Sequence, residues 1–148
     1  MLRSIQQDFI IDHPLPRVWW ALTASSAIAE WAYPNDFEPC VGREFTLRPP
    51  PNPKADFDGT VRGRVLECSS PKRLRYSWQG GPVVGTTVTF DLEPQGNGTR
   101  LRFEHAGFDL SQAWGENALK GAEYGWKLML SKLTAVASHA PDAASSTE

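Results

Sequence analysis

The C-terminal stretch from Ser111 to Ala137 constrains the fold more than any other part of the sequence. At about 100° per residue, its apolar side chains fall on one side of a helix and its charged side chains on the other. A helix of this length runs roughly 40 Å and needs a large apolar partner. The predicted buried side carries Trp114, Ala118, Leu119, Ala122, Gly125, Trp126, Met129, Leu130, Leu133, Val136 and Ala137.

The partner should be a sheet, because several earlier segments alternate between apolar and polar residues with the period of a strand. Each strand has one apolar and one charged face, which is typical of an antiparallel sheet with one side in water. Two short helices are predicted after the first strand. The inward face of the strand at 56–68 stays ambiguous, since Val61 and Val65 lie on one side whereas Leu66 and Cys68 lie on the other. A bulge would reconcile the two sets.

Length and charge bound the class of protein. The chain has 148 residues and a net charge of −2, which predicts one domain and no nucleic-acid partner. We expect no membrane span, and the first residues lack the apolar core of a signal peptide. Cys40 and Cys68 have no metal-ligand spacing and are expected to be free thiols. These features predict a cytoplasmic domain over residues 1–138 with a disordered tail at 139–148.

Candidate catalytic groups are few. Of three histidines, only His105 occupies an inward-facing strand position. It is either a buried histidine with satisfied nitrogens or a polar anchor for a ligand, and Tyr76 would join it if the protein were an enzyme. The sequence has no metal-binding spacing and no phosphate-binding loop, so we predict no metal and no cofactor.

Aromatic residues are more informative than the titratable ones. Most belong to the core, but large pockets also favour aromatic walls with few polar groups. Gly121 and Gly125 are unfavourable inside a helix and suggest either close helix–sheet packing or room for a ligand. The predicted ligand-binding set is Trp31, Phe45, Tyr76, Trp78, Phe90, Phe103, His105, Trp114, Ala118, Gly121, Ala122, Gly125 and Trp126.

Three groups of residues give the chain a resemblance to a known superfamily. They are His13-Pro14 with Val18-Trp19, Leu22-Thr23 and Trp31; Gly63-Arg64-Val65-Leu66-Glu67 with Pro71, Arg73-Leu74 and Tyr76-Ser77-Trp78; and His105-Ala106-Gly107-Phe108 with Gly125-Trp126, Leu130 and Leu133. In their order and spacing they resemble the SRPBCC superfamily, also called START-like or Bet v 1-like. The nearest branch is similar to the activator of the ninety-kilodalton heat-shock chaperone's ATPase. The doubled Trp19-Trp20, the proline-rich loop at 49–53 and His13 depart from its pattern.

This resemblance implies an α+β helix-grip fold, in which a curved antiparallel sheet of about six strands wraps the C-terminal helix around a cavity. Relatives bind lipids, hormones, polyketides or other hydrophobic molecules, and some are cyclases or aromatases. We therefore predict non-catalytic binding of a small hydrophobic or aromatic molecule. One alternative is an enzyme resembling a cyclase, aromatase or hydrolase that uses His105 and Tyr76. Another is a chaperone-linked interaction module, which a single domain disfavours; homodimerisation is left open.

Overall fold

The computed structural model describes residues 2–49, 59–81, 83–109, 111 and 115–141, with only the backbone at Leu2. Trp114, the start of the predicted strand at 56–68 and the last seven residues of the predicted tail therefore lie outside the described residues. Ten elements follow one another along the chain. They are β1 (Leu2–Ile11), α1 (Leu15–Thr23), α2 (Ser25–Trp31), β2 (Glu44–Leu47), β3 (Val61–Ser69), β4 (Arg73–Gly80), β5 (Val83–Gln95), β6 (Gly98–Asp109), α3 (Gly115–Leu130) and α4 (Leu133–Ala137).

All six strands form one antiparallel sheet in the order β1-β6-β5-β4-β3-β2. Strands β2 to β6 each pair with the next strand in the sequence. Strand β1 instead pairs with β6, and the chain passes through α1 and α2 before it reaches β2 at the opposite edge. The helices pack on one face of the sheet, while charged side chains of the other face form cross-strand ion pairs such as Arg100–Asp8 at 2.6 Å. The predicted α+β class, with two short helices after the first strand and a long C-terminal helix on the sheet, is confirmed.

A bulge in β3 resolves the ambiguous inward face of that strand. Val61 and Val65 are 4% and 1% exposed and face the core. The pairing with β4 then shifts by one residue between Val65 and Glu67. Leu66 consequently points outward and is 42% exposed, whereas Cys68 packs against the core. Both apolar sets except Leu66 thus share the inner face.

Strand β2 has four residues, and its single aromatic side chain lies over a glycine. Phe45 pairs with Gly63 across the β2–β3 ladder. A Cβ atom built on Gly63 would lie 2.5 Å from the Phe45 Cζ atom and 2.4 Å from the Ser77 carbonyl oxygen. The ring therefore occupies the place of the side chain that Gly63 lacks, and no other residue fits at position 63 without a shift of its neighbours.

The C-terminal helical region is divided, where the sequence predicts one continuous helix. Ser131 and Lys132 form a turn between α3 and α4, with the Lys132 amide bonded to the Met129 carbonyl at 3.1 Å. This three-residue spacing tightens the end of α3 in the manner of a 3₁₀ turn. Beyond the turn, Leu133 and Ala137 are fully buried, and α4 packs against α1 and α2 rather than continuing along the sheet.

Arg17 of α1 donates hydrogen bonds to backbone carbonyls at the C-terminus of α4. The Arg17 Nε and Nη2 atoms donate to the carbonyls of Ala137 and Ser138, at 3.2 and 2.8 Å. Cationic groups stabilise a helix C-terminus, where carbonyls lack intrahelical partners. Just beyond it, His139 Nδ1 lies 2.8 Å from the Glu30 carboxylate.

Candidate functional site

His105 lies at the centre of a hydrogen-bonded chain between α3 and the sheet. The indole N–H of Trp126 donates to His105 Nδ1 at 2.9 Å. His105 Nε2 lies 2.8 Å from the hydroxyl of Thr86, which donates to the carbonyl oxygen of Trp78 at 2.8 Å. Because Nδ1 accepts a hydrogen bond, a neutral His105 carries its own proton on Nε2, and this N–H donates a hydrogen bond to the Thr86 hydroxyl. Both ring nitrogens therefore have partners.

Burial keeps this histidine neutral. Its side chain is 1% exposed, and desolvation lowers the His105 pKa to about 3 because a charged imidazolium loses its hydration in the interior. A general base must exchange protons with a substrate near neutral pH. His105 has neither a free nitrogen nor a suitable pKa, so the enzymatic alternative loses the residue on which it depends most.

Glycine positions help to bring the partners of His105 together. Gly107 has a φ of 101° and lies where the β1–β6 pairing shifts between Arg3 and Ser4. A Cβ atom on Gly107 would lie 3.0 Å from the Gly85 carbonyl oxygen, so β6 and β5 approach each other closely at these two glycines. This local bend directs both His105 and Phe108 inward, and their ring centroids are 4.6 Å apart.

Trp126 is the main aromatic contact between α3 and the sheet. It is 2% exposed. While α3 lies over β1 and β6, the Trp126 indole extends to β4 and to α2. Its ring centroid lies 4.5 Å from that of Phe103, 5.1 Å from Trp78, 6.3 Å from Phe90 and 6.4 Å from Trp31.

A second aromatic group surrounds Tyr76 on the β2–β4 side of the sheet. The Tyr76 ring lies 5.1 Å from Phe45, 5.8 Å from Phe37, 6.1 Å from Phe90 and 6.5 Å from Trp78, centroid to centroid. Tyr76 is 5% exposed, and desolvation raises the pKa of its phenol. No hydrogen bond of its hydroxyl is found among the described residues, but this hydroxyl is not one of their fully enclosed atoms without a partner; Thr46 Oγ1 is.

The small residues of α3 lie beside Trp126. Ala118, Ala122 and Gly125 are half-buried and Gly121 is exposed. A Cβ atom built on either glycine meets nothing within 4 Å among the described residues. Close packing of the helix on the sheet, which would have explained these glycines, is therefore not observed at either position.

A cleft of about 600 Å³ opens across β2 to β5. Many of its lining side chains are polar and face outward, including Arg62, Arg64 and Gln79. The lining shares Phe45 and Trp78 with the predicted site, but its polar surface does not suit an apolar ligand.

The structure thus brings eight of the predicted site residues into one connected set of rings. They are Trp31, Phe45, Tyr76, Trp78, Phe90, Phe103, His105 and Trp126. Sequence reasoning missed Phe37 and Thr86. Thr86 is in phase with Val88 on β5, which could have identified it, whereas Phe37 lies between elements and follows no period.

A family profile described as "Activator of Hsp90 ATPase homolog 1-like protein" matches residues 12–138. This chain belongs to that family. The predicted membership of the activator branch is therefore confirmed. A comparison with functionally curated proteins gives no significant match.

Three solved structures are similar to this chain. Protein MLL2253 from Mesorhizobium loti is 32% identical, with a TM-score of 0.78, over 94% of this chain and 99% of that protein. CalU16 from Micromonospora echinospora is 27% identical, with a TM-score of 0.70, over 93% of this chain and 76% of CalU16. The Aha1 dimer from Colwellia psychrerythraea is 19% identical, with a TM-score of 0.73 over 89% of this chain and 93% of that one, and shows the fold alone.

Within the described ranges of this activator-family domain, no three His, Cys, Asp or Glu residues are grouped so that they could hold a metal ion. Among those same residues, no helix is both long and apolar enough to cross a membrane.

Proposed function

We propose that this activator-family domain binds a small hydrophobic or aromatic molecule between α3 and the inner face of the sheet, without catalysis. One observation carries the proposal. Gly125 is half-buried, yet a side chain there would contact no described atom within 4 Å. Gly125 precedes Trp126, whose ring is buried, and open space at this point of α3 is compatible with a ligand that contacts aromatic walls.

The walls of the proposed site come from both sides of that space. Trp78 is half-buried and touches Trp126, so it can contact a ligand beside α3. Ala122 packs against the edge of the core. The deeper rings of Phe90 and Phe103 are 0% and 2% exposed and support the walls. The role of Trp114 at this site stays a prediction from the sequence.

His105 has a structural role in this proposal. Its two hydrogen bonds tie α3 to β5 through Trp126 and Thr86, which fixes the helix against the sheet. A fully satisfied polar network of this kind rigidifies a core. It therefore holds the two walls in a fixed arrangement without itself contacting the ligand.

Native mass spectrometry of the protein purified from its source organism tests the proposal. We expect an additional mass of a few hundred daltons, on the scale of a ligand that fills such a pocket. Gly125→Leu should remove it by filling the space. Glu123→Leu is the matched control, because it introduces the same side chain at an exposed position on the opposite side of the same helix and should retain the mass. A wild-type protein that carries no bound molecule and takes up no aromatic probe would rule the proposal out.

A further inference from the structure

The two cysteines of the chain belong to neighbouring parts of the molecule, although they are far apart in the sequence. Cys68 lies near the end of β3, and Cys40 opens the turn that leads into β2. Two backbone hydrogen bonds hold this turn against β3. The Gly42 amide donates to the Val65 carbonyl at 2.8 Å, and the Val65 amide donates to the Arg43 carbonyl at 3.0 Å. The turn therefore lies beside the strand that carries Cys68.

Contacts within the turn keep Cys40 in a defined place. The Arg43 amide donates to the Cys40 carbonyl at 3.0 Å, which closes the turn, and the Cys40 amide donates to the Glu38 carbonyl at 2.8 Å. The Arg43 guanidinium also lies 3.3 Å from the Glu38 carboxylate. Because the backbone at Cys40 is already ordered, a covalent link formed there costs the folded chain little conformational entropy.

The two thiols are free and lie close enough to influence each other. Cys40 is exposed, and Cys68 is half-buried against the core. Burial raises the pKa of the Cys68 thiol, and the nearby Cys40 side chain raises it further, because two thiolates repel each other. Such a repulsion weakens with distance. It therefore agrees with the backbone contacts in placing the two side chains near each other.

From these contacts we infer that Cys40 and Cys68 are a modification site, at which a low-molecular-weight disulfide such as oxidised glutathione converts the two thiols into one intramolecular disulfide. The inference goes beyond the proposed function and does not depend on it. A solvent-accessible cysteine next to a second cysteine that resolves the first product is the arrangement typical of redox-sensing sites. In a reducing compartment such a disulfide is transient rather than structural.

Thiol–disulfide exchange gives the product in two balanced steps. The Cys40 thiolate, which is exposed and meets the reagent first, attacks one sulfur of oxidised glutathione, so that a mixed disulfide forms and one glutathione thiolate leaves. The Cys68 thiolate then attacks the Cys40 sulfur of the mixed disulfide, and the second glutathione thiolate leaves. In all, the two protein thiols give up two protons and two electrons, and one glutathione disulfide is reduced to two glutathione thiols.

Intact-protein mass spectrometry of the full chain, incubated with oxidised glutathione at about pH 8, tests the inference. We expect a loss of two hydrogens, no thiol that reacts with Ellman's reagent in denaturant, and a non-reducing peptide map in which Cys40 and Cys68 are linked. Dithiothreitol should reverse all three changes. The oxidised protein should also have a higher urea midpoint than the reduced protein, because the link restricts the unfolded chain.

Single substitutions separate the two steps. Cys68→Ser should stop after the first step and retain one glutathione on Cys40. Cys40→Ser is the matched control, because it leaves only the half-buried thiol, which should react at least about tenfold more slowly than Cys40 does in Cys68→Ser. The inference is wrong if the wild-type protein ends with glutathione attached, with a disulfide between chains, or with both thiols free. The wild-type result decides the question even if a variant does not fold.

Discussion

His105 and Tyr76 occupy comparable positions in two neighbouring regions of the core, yet their polar atoms differ in hydrogen bonding. Both face inward from strands on either side of β5, and they are 1% and 5% exposed. The two nitrogens of His105 bond Trp126 and Thr86, whereas the Tyr76 hydroxyl has no partner within the described ranges. Burial of a residue alone therefore does not show whether its polar atoms are hydrogen-bonded.

The strongest test of the His105 region is Trp126→Ala. Loss of the large buried ring should lower the free energy of unfolding by about 3–5 kcal/mol, and it also leaves His105 Nδ1 without its donor. Urea denaturation followed by circular dichroism measures the change. Leu128→Ala on the same helix, at a side chain 48% exposed, should cost less than about 1 kcal/mol. Equal effects at the two positions would contradict the assignment of Trp126 as the principal contact.

The second test uses pH. Unfolded His105 binds a proton below about pH 6.5, whereas the folded residue does so only near pH 3. The unfolded state therefore binds more protons in this window, and stability rises with pH and is lost as pH falls. Between pH 6.5 and about 4.5 the free energy of unfolding should fall by about 2–3 kcal/mol.

His105→Gln is the control for that pH dependence. The variant should lose the slope above pH 4.5, measured by urea titrations at several pH values. The Asp8 carboxyl, whose pKa the hydrogen bond with Arg100 lowers, contributes its slope mainly below this range, because an unfolded Asp gains its proton near about pH 3.9. A slope that survives the substitution would show that another group titrates in this range.

A smaller loss is expected at Thr86, the far end of the same hydrogen-bonded chain. Thr86→Val keeps the shape but removes the acceptor of His105 Nε2 and the donor to Trp78. The free energy of unfolding should fall by about 1–2 kcal/mol, as read from the shift of the urea midpoint. Thr89→Val makes the same change at an outward-facing position of β5 and should stay within about 0.5 kcal/mol of wild type.

Glycine-to-alanine changes in α3 should have the opposite sign. Because a Cβ atom meets no described neighbour at Gly121 or Gly125, each substitution should raise the free energy of unfolding by up to about 1 kcal/mol through helix propensity. Thermal unfolding by calorimetry measures both. A destabilisation at Gly125 alone would indicate that the space beside Trp126 is already filled.

Tyr76→Phe should have the smallest effect and so completes the comparison with His105. Removing an unpaired hydroxyl leaves no partner unsatisfied, so the free energy of unfolding of the ligand-free protein should be unchanged or rise by about 0.5 kcal/mol. Urea denaturation of protein stripped of bound molecules checks this. A loss of more than 1 kcal/mol would show that the hydroxyl bonds a group within the protein.

The sequence predicted the architecture well because the fold depends on periodic patterns. Alternation identified the inward faces of β4, β5 and β6, and the amphipathic stripe identified the C-terminal helical region as one helix, which the structure divides into α3 and α4. Two features follow no period: the bulge that turns Leu66 outward and the turn at Ser131. Each depends on one local hydrogen-bond geometry, which residue spacing does not record.

The sequence identified inward-facing aromatic residues, but not the hydrogen bonds of the polar groups among them. The aromatic residues could be selected because inward positions of strands are countable. Which of His105 and Tyr76 would be paired depended on Trp126 and Thr86, which lie 21 and 19 residues from the histidine in sequence. Contacts between distant residues arise from the packing of α3 on the sheet, so no local pattern identifies them.

The ring of Phe45 over Gly63 also determines how β2 pairs with β3. A strand of four residues gains little from its ladder and could shift along its neighbour. A shift by two residues keeps Phe45 on the inner face but places its ring against Val61 or Val65, where a branched side chain already occupies the space. Only the observed pairing offers a vacancy of the right size, so the missing side chain at position 63 selects one alignment among several and excludes mispaired sheets during folding.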